Sequence, residues 1–470
     1  MLKGRTRIEL RDVRTGRTQT VEEDNMVTNA LQYVFNPLGY VKAGDPMFTS
    51  AYVDYFKTLT GGLLLLGDTV AENADTVILP RNTPVTGCAV YDQQNTSGQT
   101  LRGNYNATES EIDKENRRVK FVYDFDTSEA NGTIACVALT HAYGGYGPQG
   151  CSGDPEYGLY PFFSSVGSGL LRLTGSSSGI GAYDRRQDYT VYGSSYQWIV
   201  KIEADTDSVY YFSIVDSTTV RIRRYRANIS TVSLFEAPSS SRTLLESWDV
   251  KLGTEINTRY FSYNYDEESD RLYVVTAADY SVSDGKDYVV TEIDMSDCST
   301  VKQYTMTNTA GVSIRTGYEK CDTVCYEGYV YFMSYGGSER HIYRQEIGNS
   351  ANVQVLQEPA ALRQAFPMLA RDGRVYFETP TGYSGKGGCY VVEVDSFTMK
   401  YTETYSLYDF SVRQFVPVRG VPLTYYVTAG ASNGTFAVRT DYLATINNLA
   451  EPVVKTADRT MKVTYTLEEK

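Results

Sequence analysis

The stretch Asp372-Gly373-Arg374-Val375-Tyr376-Phe377, with Tyr390-Val391-Val392-Glu393-Val394-Asp395 after it, decides the fold of this chain. It consists of an aromatic strand, a Gly-rich loop and a second strand that ends in Glu-Val-Asp. Alternating apolar residues bounded by Gly and Asp are typical of antiparallel strands. The same order recurs four more times, around Tyr210, Tyr273, Tyr331 and Tyr425.

Two further strands flank these copies. A strand and a tight turn precede every aromatic strand, at 198–203, 261–265, 324–326, 367–370 and 415–418. A fourth strand follows four of the copies, at 231–235, 300–305, 352–357 and 398–405. Four strands per repeat, recurring at roughly 40–50 residues, is the period of β-propeller blades. We therefore predict five blades, with 242–251 as an insertion after blade one; a sixth blade around 169–173 is the alternative.

The segments outside these repeats predict a second all-β unit. Residues 5–23 alternate as a hairpin, 26–36 have the apolar spacing of a short helix, and further strands recur up to residue 139. The alternating strand at 458–467 has no blade left to join. The prediction is an all-β chain with four segments. These are a β-sandwich-like domain at 1–150, a Gly/Ser-rich linker at 151–195, an inserted propeller at 196–449, and a C-terminal strand at 450–470 that returns to the first domain.

Composition excludes several classes of function. Lys and Arg total 44 against 57 Asp and Glu, a net charge of −13 that repels the phosphates of nucleic acids. The N-terminus lacks the apolar region of a secretory signal, and the longest apolar run, Leu63–Leu66, cannot span a membrane. His141 and His341 are the only histidines, and no Cys/His cluster has zinc spacing. We predict no catalytic residue, no metal and no cofactor.

A glycoside hydrolase is the enzymatic alternative. Such enzymes need two carboxyl groups roughly 5–10 Å apart. The acids nearest the innermost strands fall in the turns that follow those strands, where we expect them to be solvated: Glu203, Asp266, Glu327 and Asp372. We therefore predict that the chain is not an enzyme.

The candidate binding residues lie in the loops between the second and third strands of each blade. Propeller topology places these loops on one face, and Tyr beside Gly, Ser and charge suits a sugar or protein epitope. The candidates are Tyr280, Asp284 and Asp287 in blade two, Tyr335 and Arg340 in blade three, and Tyr383 and Lys386 in blade four. A basic cluster in blade one is expected to be a solvated edge, with an anionic glycan or a neighbouring subunit as the alternative: Arg221, Arg223, Arg224 and Arg226.

Both ends of the chain contain distinctive stretches: Glu9–Gly16, Glu22–Leu31, Asp124–Ile134 with the Gly-Gly-Tyr-Gly at 144–147, and Tyr442–Leu449 with Lys455–Asp458. In these stretches the chain resembles structural proteins from tailed phages of gut Firmicutes. It covers roughly residues 1–150 and 440–470 and leaves the repeats uncovered. It implies a tail or baseplate component of the virion without catalytic residues.

Three functions follow as hypotheses. The first is a tail or baseplate protein whose propeller faces outward and binds host-surface glycan or protein, with other virion proteins and copies of itself as partners. The second is a virion-associated glycan hydrolase that uses propeller carboxylates. The third is a purely architectural or decoration protein. In each, we expect assembly into the virion in the host cytoplasm, without a membrane or nucleic acid as partner.

Overall fold

A computed structural model gives the fold. It describes residues 2–33, 57, 60–80, 83–96, 98, 100–140, 153–154, 158–159, 171–174, 198–203, 205–206, 208–227, 233–235, 242–258, 260–279, 284–315, 322–334, 340–356, 362, 364–379, 387–404, 412–419, 424–428, 436–438 and 442–470. The predicted all-β fold is confirmed: almost every described element is a strand, and the strands build a ten-stranded sheet and a propeller.

The ten-stranded sheet, called the barrel below, is made from both ends of the chain. Its strands are β1 (Leu2–Asp12), β2 (Thr18–Val27), β3 (Gly62–Leu66), β4 (Val85–Val90), β5 (Asn104–Tyr105), β6 (Glu111–Asp113), β7 (Arg118–Phe125), β8 (Gly132–Thr140), β33 (Thr445–Lys455) and β34 (Arg459–Glu469). Their order is β4-β3-β8-β33-β2-β1-β34-β7-β5, and β6 pairs with β7. Edge strand β4 meets the residues before β5 through a bridge between Cys88 and Arg102, so the sheet is nearly closed.

The C-terminal strand lies in the middle of this sheet. β34 pairs with β1 from Leu2–Glu469 to Asp12–Arg459, and with β7 on its other side. Its apolar residues alternate, as an antiparallel strand with one buried face requires. Met461, Val463, Tyr465 and Leu467 are all buried in the barrel core. The propeller is therefore inserted between β8 and β33, as the sequence predicted.

Two boundaries differ from the prediction. The strand that leaves the propeller begins at Thr445, so residues 445–449 belong to the barrel. The predicted helix at 26–36 begins later, because Met26 and Val27 still pair with β33. A helical turn covers 30–33, where the Thr28 hydroxyl accepts a bond from Ala30 N at 3.2 Å and so acts as an N-cap.

Five blades form the propeller. Blade one contains β12 (Trp198–Glu203), β13 (Ser208–Asp216), β14 (Thr219–Ala227) and β15 (Arg242–Lys251). Blade two contains β16 (Phe261–Asp266), β17 (Arg271–Ala277), β19 (Asp287–Asp294) and β20 (Val301–Thr307). Blade three contains β22 (Thr323–Tyr326), β23 (Tyr329–Met333), β24 (Ile342–Glu346) and β25 (Val353–Val355). Blade four contains β26 (Phe366–Arg371), β27 (Arg374–Thr379), β28 (Gly387–Glu393) and β29 (Thr398–Thr404).

Blade five shows how the ring closes. It contains β30 (Val412–Arg419), β31 (Thr424–Thr428), β32 (Phe436–Val438) and β11 (Leu171–Thr174). β11 precedes blade one in the chain, yet it pairs with β32 as the outermost strand of blade five. Residues 171–174 therefore complete blade five. The sequence had predicted them as part of the 151–195 linker, with a sixth blade around 169–173 as the alternative. The inner strands β12 and β30 also pair in parallel.

The fourth strand of blade one also differs from the prediction. Its fourth strand is β15, which pairs with β14 from Thr219–Lys251 to Ala227–Arg242. The stretch 242–251 is thus part of the blade; of the predicted fourth strand at 231–235 the structure describes 233–235, which lie in the connection before β15. Two short pairs complete the described strands: β9 (Gly153–Asp154) with β10 (Gly158–Leu159), and β18 (Asp284–Gly285) with β21 (Ile314–Arg315).

Blade one also packs against the barrel. Ile202, Val209, Tyr211, Tyr225 and Leu234 share one hydrophobic core with the barrel strands. At the edge of this contact the Glu469 carboxylate accepts bonds from Arg117 Nη2 at 2.6 Å, Ser233 Oγ at 2.9 Å and Leu234 N at 3.0 Å. Burial alone would raise the pKa of Glu469, but these donors lower it. One carboxylate therefore joins the last barrel strand to blade one.

Candidate binding face

The two ends of the propeller have different connections. At one end, the first and second strands are joined by short turns at 204–207, 267–270, 327–328 and 372–373. At the other end, longer connections at 278–286, 334–341 and 380–386 join second to third strands in blades two to four, and 308–322 leads to blade three; in blade one this connection is the two-residue turn 217–218. We call these ends the turn face and the loop face. The barrel contacts blade one at its turn-face end, through residues 202, 209 and 233–235.

Two of the turns are two-residue hairpins whose conformation explains their sequence. Glu327 and Gly328 have φ of 45° and 77°, and Asp372 and Gly373 have φ of 52° and 70°. Positive φ at both central positions is the type I′ turn, which matches the twist of the flanking strands and favours Asp-Gly. Such tight turns allow the inner ends of the blades to approach one another.

The turn face contains a buried cluster of charges. Lys201 of blade one is 1% exposed, and its ammonium lies 2.7 Å from Glu203 Oε1 and 2.8 Å from Asp270 Oδ1 of blade two. Glu203 also accepts a bond from Tyr210 OH at 3.1 Å, and Asp270 accepts one from Tyr265 OH at 2.8 Å. Burial alone would raise the pKa of Glu203, but the hydrogen bond and charge of Lys201 outweigh it and lower this pKa. The cluster thus ties blade one to blade two.

The blade two turn, residues 267–270, reaches two other blades. Arg371 of blade four lies 2.5 Å from Glu267, Nε to Oε1, and both side chains are nearly buried. The Glu268 carboxylate accepts bonds from Tyr326 OH of blade three at 2.7 Å and from Asp372 N of blade four at 3.0 Å. One turn therefore links the inner ends of blades one, three and four.

Glu267 is a carboxyl group of this cluster whose pKa is strongly raised. Burial raises the pKa of Glu267 to about 7, and the nearby carboxylates of Asp372, Glu268 and Asp266 act in the same direction. The short contact with Arg371 acts in the opposite direction and by itself would lower the pKa of Glu267. The pKa of Glu267 is nevertheless raised, because the single cation of Arg371 does not offset both burial and three like charges.

These contacts correct the expectation that the turn acids are solvated. Glu327 and Asp372 are exposed, but Glu203 is 9% exposed and Asp266 is 4% exposed. Asp266 accepts bonds from Ser269 Oγ at 2.6 Å and Glu268 N at 3.1 Å. Asp266 is thus bonded within its own turn, and Glu203 is paired with Lys201 of its own blade, so both buried carboxylates are first explained as structural groups.

The loop face contains a small polar pocket beside blades three and four. Arg315 and Asp322, from the connection that leads to blade three, form an ion pair with 3.7 Å between Nε and Oδ2, and the Asp322 side chain is 3% exposed. The volume is about 20 Å³, room for about one water molecule. The pocket is lined by Arg315, Asp322, Met333, Ser334, Gln364, Ala365 and Phe366.

Backbone contacts hold the loops that surround this pocket. The pair β18–β21 joins the blade two loop, at Asp284–Gly285, to Ile314–Arg315. Asp322 N donates to Ser262 Oγ on the inner strand of blade two at 3.2 Å. Ser334 and His341 exchange bonds at 3.1 Å across the base of the blade three loop. The pocket residues are therefore positioned by blades two, three and four together.

The structure describes some of the predicted binding residues. Asp287 is exposed at the start of β19, and its carboxylate accepts a bond from Thr307 Oγ1 at 2.7 Å. Arg340 is half-buried, and its carbonyl accepts a bond from Leu362 N, two residues before Gln364 of the pocket. The backbone of Asp284 pairs with Arg315. Tyr280, Tyr335, Tyr383 and Lys386 lie outside the described residues.

Sequence analysis missed the pocket residues themselves. Arg315, Asp322, Gln364 and Phe366 lie in or at the end of connections between blades, whereas the predicted binding residues all lie in loops within blades. Propeller topology places both kinds of connection on the same face. The alternation of strands and connections in the sequence could therefore have shown that these residues lie on the loop face.

The basic cluster of blade one is partly neutralised within the blade. Arg221 donates to both carboxylate oxygens of Asp249, from Nε at 2.5 Å and Nη2 at 2.7 Å. Arg224 Nε donates to Ser208 Oγ at 2.9 Å, and its guanidinium lies 5.7 Å from the centre of the Tyr210 ring. These two arginines therefore stabilise contacts between strands, which differs from the expected solvated edge.

The described residues contain neither a metal-binding cluster nor a membrane-spanning helix. Within these residues, no three His, Cys, Asp or Glu side chains are grouped so that they could hold a metal ion. The helical segments that the structure describes include none with the length and apolar character needed to cross a membrane.

Comparisons with known proteins do not assign a family. No family model and no curated protein matches the chain. The β-propeller domain of the Trilobed protease from Pyrococcus furiosus is 8% identical over 75% of this chain and 82% of that domain, with a TM-score of 0.28. An uncharacterized protein from Listeria monocytogenes is 12% identical over 52% of this chain and 65% of that protein, with a TM-score of 0.28. A GH43_1 enzyme from Xanthomonas citri is 8% identical over 58% of this chain and 97% of that enzyme, with a TM-score of 0.29. TM-scores this low are no guide to activity or substrate.

Proposed function

We propose that this chain is a structural component of a tailed-phage virion whose barrel joins the particle and whose loop face binds a glycan or protein of the host surface. The phage assignment is supported by the resemblance of residues 1–150 and 440–470 to tail and baseplate proteins. Those two segments pair with each other along the whole of β1 and β34, so the resemblance falls on one folded unit.

The difference between the two propeller faces carries the binding proposal. The turn face is occupied by ion pairs between blades and, at blade one, by the barrel. The loop face has the long connections and the pocket with Arg315 and Asp322. A guanidinium and a carboxylate can each bond two sugar hydroxyls, and the neighbouring Phe366 ring offers an apolar surface. Because the pocket holds only about one water, the ligand lies across the face and inserts a single polar group.

Hydrolysis of the bound glycan is the alternative function. It requires a second carboxyl group within roughly 5–10 Å of the first. The pocket lining supplies one carboxylate, Asp322, and the buried acids of the turn face are engaged with Lys201 and Arg371. Binding without cleavage is therefore the function that this geometry favours.

Incubation of the purified protein with host cells and with isolated wall polysaccharide tests the proposal. We expect stable binding without release of reducing ends. Released reducing ends would replace the proposal with a hydrolase. Absence of binding, both by the protein and by the intact virion assembly, would leave a purely architectural role.

A further inference from the structure

Lys455, the last residue of β33, is a buried amine that no carboxylate contacts among the residues that the structure describes. It is 1% exposed. Its Nζ donates to Asp126 O at 2.7 Å, Asn131 Oδ1 at 2.9 Å and Thr127 O at 3.4 Å. All three acceptors are neutral, so no carboxylate bonds the ammonium directly. Burial lowers the pKa of Lys455 despite the opposing charges of Glu129 and Asp126.

Asn131 places a side-chain amide against this amine. Its oxygen is the atom that Lys455 contacts, so the amide carbon lies one bond further away. Its Nδ2 donates to Thr127 O at 2.9 Å, which holds the amide group in the turn. Lys455 pairs with Gly132 in the β8–β33 register, and this pairing fixes the two side chains next to each other.

Glu129 supplies a carboxyl group in the same turn. It is 7% exposed and accepts bonds from Asn95 Nδ2 at 2.8 Å and from Asp126 N at 2.8 Å. Lys455 binds the carbonyl of the same Asp126, so one residue separates the carboxyl group from the amine. Because this carboxyl group does not contact the amine, it can relay a proton only through a bridging water molecule.

We propose that Lys455 and Asn131 form an intramolecular isopeptide bond, with Glu129 as the proton relay. The neutral Lys455 Nζ attacks Asn131 Cγ and forms a tetrahedral intermediate. Glu129 takes a proton from Nζ and delivers it to Nδ2; the Cγ–Nδ2 bond then breaks, and ammonia leaves. The product is an amide between Nζ and Cγ. No atom is oxidised or reduced, and no other reactant is needed.

The position of this bond gives it a mechanical role. The two residues are 324 positions apart in the chain. Asn131 directly precedes β8, the barrel strand that leads toward the propeller, and Lys455 ends β33, the strand that returns from it. The bond therefore closes a loop that contains the whole propeller. Force applied to the barrel through the chain ends passes through the bond and bypasses the propeller.

Mass spectrometry of the intact full-length protein tests the proposal. We expect a mass lower than that of the sequence by one ammonia, and a branched tryptic peptide that joins residues 131 and 455. A folded wild-type protein with the full mass of its sequence would refute the bond and leave Lys455 as an ammonium cap on the turn.

Matched variants assign the three roles. Lys455→Arg retains the charge and the hydrogen bonds to the turn, and Asn131→Ala removes the electrophile, so each should show the full mass. Glu129→Gln should also show the full mass while it retains the circular dichroism spectrum of the wild type; if it forms the bond at the wild-type rate, Glu129 is not the relay. Lys462→Arg, in which the ion pair of neighbouring β34 with Glu109 is retained, should lose ammonia as the wild type does.

Discussion

The turn face and the loop face of the propeller are built from the same repeated unit but use polar residues differently. On the turn face, hairpins of two to four residues bring the inner ends of the blades together, so their charges are buried and must pair. On the loop face, the connections of blades two to four are longer, and the described residues there include a small pocket in which Arg315 and Asp322 form an ion pair. Acidic residues in a propeller are therefore no sign of catalysis until their face and their partners are known.

The largest effect is expected from the turn-face cluster. Lys201→Met should lower the free energy of unfolding by about 3–5 kcal/mol, because Glu203 and Asp270 are left buried without their cation. Chemical denaturation followed by tyrosine fluorescence measures this loss. Lys302→Met is the matched control: its side chain is 61% exposed and 3.8 Å from Glu292, so we expect a change below about 0.5 kcal/mol. Equal effects of the two variants would contradict the structural role of the cluster.

The contact between the barrel and blade one should show a smaller, local effect. Glu469→Ala removes the acceptor of three hydrogen bonds and should cost about 1.5–3 kcal/mol, since hydrogen bonds to charged groups are worth about that much. Hydrogen exchange at the Leu234 amide, which donates to Glu469, should accelerate roughly 10- to 100-fold.

Glu468→Ala is the control for this contact, because that side chain is more exposed and its ion pair is with Lys470 at 4.0 Å. It should leave exchange at Leu234 unchanged. Unaltered exchange in Glu469→Ala would show that the barrel and blade one are held together without this carboxylate.

The pH dependence of stability gives a third comparison. The pKa of Glu267 is raised from 4.5 to about 7, so the folded chain binds this proton more tightly than the unfolded chain does. Its contribution to stability is therefore full below pH 4.5 and is lost as the pH rises to about 7. The wild-type protein should therefore lose unfolding free energy between about pH 5 and about pH 8. In Glu267→Gln this loss should be smaller, by on the order of 1–3 kcal/mol.

Denaturation curves at several pH values measure this difference. Glu246→Gln, an exposed position of β15, should reproduce the wild-type slope. A Glu267→Gln variant with the wild-type slope would place the titration elsewhere in the cluster.

Local sequence patterns predicted the inner parts of the fold best. Strand β12 matches its predicted bounds, because one aromatic strand, one turn and one partner strand form a local hairpin. The outer strand β15 was misassigned, because residues 243–249 lack the regular alternation of a strand with one buried face. β11 was missed as part of blade five because a four-residue strand pairs with β32, more than 250 positions later, and no local pattern encodes that pairing.

The same limit applies to the candidate site. Composition identified the loop face but could not show that Arg315 and Asp322 meet in a pocket, since the residues between them lie in a connection with no periodic pattern. Turn residues such as Glu203 and Asp266 looked solvated, because sequence shows the turn but not the neighbouring blades that cover it.

The most direct test of the account compares the two faces of a single blade. Gln364→Trp places a bulky side chain at the loop-face pocket before β26, and Ser396→Trp places the same side chain in the exposed turn between β28 and β29. Binding of each variant to isolated host wall polysaccharide is measured beside the wild type. We predict that Gln364→Trp weakens binding at least about tenfold, a change of about 1.4 kcal/mol, while Ser396→Trp binds as the wild type does. Equal binding by both variants, or loss only in Ser396→Trp, would contradict the assignment of recognition to the loop face.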